Sequence, residues 1–328
     1  SNEESLEAFG KTYSTQLKAY LVESNTPLPD SFGCPLGSWN NIDSSGWYVN
    51  RDVEPSNTLF LDSTRDRVWI LYSLLDATQS DFIVENWIKS TSNLDSCWLS
   101  RGNLLHWENL SGWSRRGMGL RFSDGLSPEE SSGNFSLKAW HGANRYVEGL
   151  DEILKIAQDK FAIYSVRFQK KSGGSISISA EWYSDGKVTI NRAADADEVL
   201  ISVAEMANRY ADSLKEATNL RNKKIAPFEI DFSKRIEDLD VFSATVTKGQ
   251  GAMKLWLAEI EACQDFRRFK GVDLHTWDRI LLDVGPDYVY LTVPGKGCVN
   301  AAPRLAVVQG EDNAGRASIY HDGTEVFA

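Results

Sequence analysis

Apolar positions Leu6, Phe9, Tyr13, Leu17, Tyr20 and Leu21 recur three and four residues apart, which predicts an amphipathic helix over residues 3–23. From there to about residue 64 the chain is rich in Pro, Gly, Ser and Asn, with Phe32, Trp39, Trp47 and Tyr48 interspersed. Rings of that size do not sit freely in water, so the stretch reads as an irregular segment packed over the body. The regular pattern begins with "RVWILYSLL" (67–75), a β-rich apolar run. "SDFIVENWIK" then predicts a helix capped by Ser80, with Phe82, Ile83 and Trp87 on one face. Short strands follow at Cys97-Trp98-Leu99, "LLHWEN", "GMGLRFS" and "NFSLKAWHG". Val147, Leu150, Ile153, Leu154 and Ala157 then close the unit as a helix.

The second half opens with a meander, "FAIYSVRFQKK" and "SISISAEWYSDGKVTINRA", with turns at Gly173-Gly174 and Asp185-Gly186. A long helix is predicted over 195–219, because Val199, Val203, Met206, Tyr210, Leu214 and Ala217 form a continuous stripe that suits packing on a sheet. Beyond Pro227, "DVFSATVTKG" reads as a strand, and Met253, Trp256, Leu257 and Ile260 as the inner face of a helix. "DRILLDVG", "DYVYLTV" and "RLAVVQG" read as further strands. The strand-then-tryptophan-helix order at 68–88 is thus echoed at 241–260, and Leu105-His106-Trp107 by Leu274-His275-Thr276-Trp277, which suggests an internal duplication.

These elements give an α+β protein of curved antiparallel sheets backed by helices. Three stretches follow: 1–64 as N-terminal helix and covering segment, 65–160 as a first α+β unit, and 161–328 as a second unit packed into one body. The β-α-β4-α order of the first unit resembles the TATA-box-binding-protein topology. That resemblance lies in element order alone and carries no function.

Charge narrows the partners. Forty-six acidic against 35 basic residues leave a net charge of −11, which disfavours a general nucleic-acid surface. No apolar run approaches the roughly 20 residues of a membrane span, and the acidic start is unlike a signal peptide, so a cytoplasmic setting is expected. The four cysteines and four histidines form no C-x-x-C or H-E-x-x-H spacing, so no metal or other cofactor is expected.

The most motif-like segment is "YLTVPGKGCV" (290–299). A phosphate-binding loop needs Ser or Thr after the lysine and then a helix; here Gly297 follows Lys296, and Pro303 precedes a β-type run. The segment therefore reads as a hairpin turn. A catalytic thiol can be written as Cys298 with His321 and Asp322, but His-Asp-Gly is equally turn chemistry, so no catalytic residue is assigned. Contact candidates lie in two aromatic- and arginine-bearing stretches. Trp107, Trp113, Arg115 and Arg116 fall in "HWENLSGWSRRG", and Trp140, His141 and Arg145 in "KAWHGANRY". The function expected from this reading is non-catalytic binding of another protein, of inhibitor, immunity or adaptor type, with a basic partner favoured by the acidic surface. The alternative is a small-molecule or glycan site on a concave sheet face, with or without catalysis, and nucleic-acid binding ranks last.

Overall fold

The computed structural model describes residues 17–26, 33–42, 45–51, 54, 57–123, 134–140, 161–247, 253–312 and 315–327. Two antiparallel sheets and five helices make up the described residues, so the α+β class holds. None of these helices is long and apolar enough to cross a membrane.

The first sheet is built around β1 (Lys18–Ser24). Its order places β2 (Ser38–Asn41), β3 (Trp47–Arg51), β4 (Leu59–Asp62) and β5 (Val68–Ser73) on one side of β1. On the other side run β11 (Lys187–Ala193), β10 (Ser175–Tyr183), β9 (Ala162–Ser172), β7 (Trp113–Ser123) and β8 (Asn134–Trp140). A short strand, β6 (Leu94–Ser96), pairs with the end of β1.

Residues 18–23 are thus a strand, where the apolar spacing predicted a helix. β1 is buried on both faces, Ala19 and Leu21 in one apolar cluster and Tyr20 and Val22 in another. A doubly buried strand is apolar at nearly every position, and part of such a run matches helical spacing. Residues 38–62, expected to be irregular, supply β2 to β4 as an extension of the sheet. "LLHWEN" is also no strand; it spans the end of α2 (Arg101–Leu104) and a 3₁₀ turn at His106–Asn109.

Helix α1 (Ala77–Ser90) is capped by Asp76, whose side chain accepts from the Gln79 N–H at 3.0 Å. Ser80 is not the cap. It lies on the buried face with Val84, Trp87 and Ile88, while Phe82 points to solvent. The Asp185-Gly186 turn forms as expected, and the glycine is required there. Gly186 has φ +83°, and a Cβ would sit 2.6 Å from the Cys97 carbonyl oxygen. At this point β1 changes partner from β11 to β6, with Leu21 N–H donating to Gly186 O and Cys97 N–H to Leu21 O.

Helix α3 (Ala196–Lys223) buries the whole predicted stripe from Val199 to Ala217. The second sheet runs β13 (Leu255–Cys263), β14 (Phe266–Asp273), β15 (Arg279–Gly285), β16 (Tyr288–Thr292), β12 (Phe228–Phe232), β17 (Ala317–His321) and β18 (Thr324–Val326). Three assignments invert here. "DVFSATV" belongs to α4 (Leu239–Thr247), whose Leu239, Phe242, Ser243 and Val246 face inward at helical spacing. The Met253–Ile260 stretch supplies β13, with Leu255 and Leu257 inward and Trp256 and Ile260 exposed. "RLAVVQG" lies in α5 (Ala301–Asp312), and Pro303 sits in the first turn, where its missing N–H costs nothing. Residues 239–263 therefore run helix then strand, the reverse of 68–90, and do not repeat it.

Both α3 and α5 touch strands of the two sheets: α3 meets β5, β11, β17 and β18, and α5 meets β7, β9, β12 and β17. One apolar cluster runs through the sheets and these helices. Its extent places α5, and the loop that leads into it, at the junction of the two sheets.

Candidate functional site

Trp107 is 1% exposed and sealed between Trp113 and Trp182, with ring centroids 4.5 and 5.6 Å away, so it is a core anchor and not a contact surface. Trp113 is half-buried, with the Lys170 ammonium 5.8 Å above its ring. Arg115 pairs with Glu108 at 3.3 Å, and Arg116 is half-buried beside it in β7. Trp140 ends β8, and His141 and Arg145 lie outside the described residues.

The 290–299 segment is not a hairpin. Pro294 to Gly297 makes a turn, with Gly295 at φ +63°, but the chain then enters α5, giving a strand–loop–helix connection. That path carries Cys298 into the interior. His321 lies apart, in β17 against the Phe228 ring. The histidine that accompanies Cys298 is His275, from the turn between β14 and β15.

Cys298 is one end of a buried polar network. Its sulfur accepts from the Asn300 N–H at 3.4 Å and from Arg67 Nη2 at 3.2 Å, and the thiol lies 3.7 Å from Glu23 Oε1. Arg67 also holds Glu23 Oε1 through Nε at 3.0 Å. The second oxygen, Glu23 Oε2, is 3.1 Å from His275 Nε2. Among the described residues His275 Nδ1 has no hydrogen-bond partner, and Asp95 Oδ2 lies 4.0 Å away. Burial opposes protonation of His275, yet Glu23, then Cys298 and Asp95, outweigh it and raise its pKa to about 10.

Asp95 is the hub. Arg304 Nη1 donates to its Oδ2 at 2.5 Å and Asn300 Nδ2 at 2.9 Å, while Trp98 Nε1 reaches Oδ1 at 3.3 Å. Arg304 bridges on to Asp273 Oδ1 at 2.6 Å, and the Tyr210 hydroxyl donates to Asn300 Oδ1 at 2.5 Å. Burial alone would push the Asp95 carboxyl up; Arg304, His275 and Lys254 overcome it and hold the pKa below the usual carboxylate value. Lys254 donates to the Ile88 and Leu94 carbonyls, each at 2.6 Å, and burial lowers its pKa. Its backbone has φ +47°, a left-handed conformation that costs a non-glycine residue about 1 kcal/mol or more.

Asp95 and Lys254 also form the base of a cleft of about 260 Å³ where α1, the β10–β11 turn and α5 meet. Trp98, Tyr164 and Tyr183 supply aromatic walls, and Arg121, Asp185 and Glu311 supply polar groups. Arg121 bonds Glu311 at 2.6 Å and lies 5.1 Å from the Tyr164 ring centre, which fixes one side of the opening. The network residues alone come from β1, the turn before β5, β6, α3, β14, the β14–β15 turn, the loop into α5 and α5 itself, and Glu23 and Cys298 stand 275 positions apart. No sequence spacing exposes such a set; the local cues were Asp273 two residues before His275 and Asn300 two residues after Cys298.

The chain belongs to the MJECL33-like protein family, whose model matches residues 3–309. It is similar to the "Uncharacterized protein MJECL33" of Methanocaldococcus jannaschii, at 24% identity over 340 residues, covering 88% of this chain and 82% of that protein.

Proposed function

We propose that this protein binds a small, flat, polar molecule in the cleft above Asp95 and Lys254. Lys254 is the observation that carries the reading. A lysine buried at the base of an aromatic-walled cleft, in a left-handed backbone conformation, is held there against both desolvation and backbone preference. The cleft volume falls just below the roughly 300–1,000 Å³ of pockets for drug-sized ligands, which suits a molecule of amino-acid or nucleobase size. The buried network behind Asp95 makes the base rigid, so little ordering entropy is lost on binding. A thermal-shift screen of amino acids, nucleosides and aromatic carboxylates tests the reading. Compounds that raise the melting temperature of the parent should do so much less in Tyr183→Ala and Lys254→Met. Shifts that persist unchanged in both variants, or a parent that responds to no compound, would rule the cleft out.

A second reading, binding of a basic protein, draws on the outward face of the second sheet. Trp256 and Leu281 share that face through the Trp256–Val272 and Lys270–Leu281 pairs, and Trp256 is 66% exposed on edge strand β13. Capture of a basic partner by the parent, abolished by Trp256→Ser, would support this reading over the cleft.

A further inference from the structure

We propose that Glu23, His275 and Cys298 form a binding site for a divalent transition-metal ion of the zinc class. One donor atom from each residue lies within 4.8 Å of the other two, and all three residues are buried. The set of one carboxylate, one imidazole and one thiolate matches the oxygen, nitrogen and sulfur donors that zinc accepts. Bond lengths of about 2.0–2.3 Å place tetrahedral ligands roughly 3.3–3.7 Å apart. The 3.1 Å between Glu23 Oε2 and His275 Nε2 is already close to such an edge, and the Cys298 sulfur lies 3.7 Å from the other carboxylate oxygen, Oε1.

In the ion-free arrangement the donor atoms already have hydrogen-bond partners. Arg67 and the Asn300 N–H donate to the Cys298 sulfur, and Arg67 also holds Glu23 Oε1. On the far side of the His275 ring stands Asp95, with Oδ2 4.0 Å from Nδ1; a small approach would complete the carboxylate–histidine hydrogen bond that orients an imidazole toward a metal through its other nitrogen. In a metal-bound state, Nδ1, which has no hydrogen-bond partner among the described residues, donates toward Asp95 while Nε2 binds the ion. Arg67 is in hydrogen-bond contact with both Glu23 and Cys298, and its side chain is 27% exposed whereas Glu23 and His275 have no exposure. It is therefore the member free to withdraw as the ion enters. The three ligands belong to β1, the β14–β15 turn and the approach to α5, so a bound ion would clip the two sheets together.

The test uses the full chain, stripped with chelator and titrated with Co²⁺ and then Zn²⁺. The expected result is uptake of about one ion per chain, a thiolate-to-cobalt charge-transfer band, and loss of that band on adding zinc. Zinc should also slow alkylation of Cys298, read by peptide mass spectrometry, while the exposed Cys263 reacts at an unchanged rate. Cys298→Ser and His275→Gln should each lose the band and weaken uptake by at least about tenfold. If these variants fail to fold, the band and the alkylation protection in the parent decide alone. Absence of a charge-transfer band, equal uptake by folded variants, or Cys298 alkylation indifferent to zinc would overturn the assignment.

Discussion

Arg304→Met removes the cation on which two buried carboxylates depend. Arg304 is fully buried and donates to Asp95 Oδ2 at 2.5 Å and to Asp273 Oδ1 at 2.6 Å. Methionine fills much of the same volume but offers no donor. Asp95 would keep Asn300, Trp98 and the Ser96 N–H, whereas Asp273 would keep the His275 N–H at 3.0 Å. Removing one partner from a buried ion pair costs about 3–5 kcal/mol, since the charge left behind has lost both water and counter-ion. Against a total stability of roughly 5–15 kcal/mol, that is about a fifth or more of what holds the fold. Urea unfolding at neutral pH, followed by tryptophan fluorescence, reads the loss as a lower midpoint at unchanged slope. Adding Asp95→Asn and Asp273→Asn to Arg304→Met should restore part of the loss, since the stranded charges are then gone. A single variant within about 1 kcal/mol of the parent, or a triple variant no more stable than the single, would refute the reasoning.

Two further outcomes test the packing. Val203→Asp should destabilise by several kcal/mol in the same assay, because Val203 is 1% exposed in the buried α3 stripe and a carboxylate there would be desolvated without a counter-ion; a stability equal to the parent would place that stripe in solvent. Gly271→Ala should loosen β13, because the added Cβ would meet the Trp256 carbonyl oxygen at 1.9 Å. Faster amide exchange confined to 255–263 is the expected signature, and unchanged exchange would contradict the close approach.

Long, strongly periodic segments were legible from sequence, and the reasons for the failures are physical. The α3 stripe was read correctly because 28 residues give the helical period many repeats. Between 239 and 263 the two periods were confused. Trp256 and Ile260 sit four apart on a strand, and their exposure supplied false members to a helical face. The β-branched residues of "DVFSATV" suggested a strand, although Asp238 caps the helix by accepting from the Asp240 and Val241 N–H groups at 2.8 and 3.0 Å. In the sequence Cys298 reads as part of a hairpin turn, with His321 as the histidine weighed beside it, while the fold supplies His275 and Glu23. Glu23 had no visible signal at all. The apolar spacing predicts a helix that ends at this residue, and only its place in a doubly buried strand turns it into a site residue.

The cleft is tested most directly by crystals of the full chain soaked with fragments of amino-acid and nucleobase size. The account predicts density for bound fragments between Trp98, Tyr164 and Tyr183, with a polar atom of the fragment within hydrogen-bond reach of Lys254. Fragments that bind only elsewhere, with ordered water alone above Asp95 and Lys254, would contradict it.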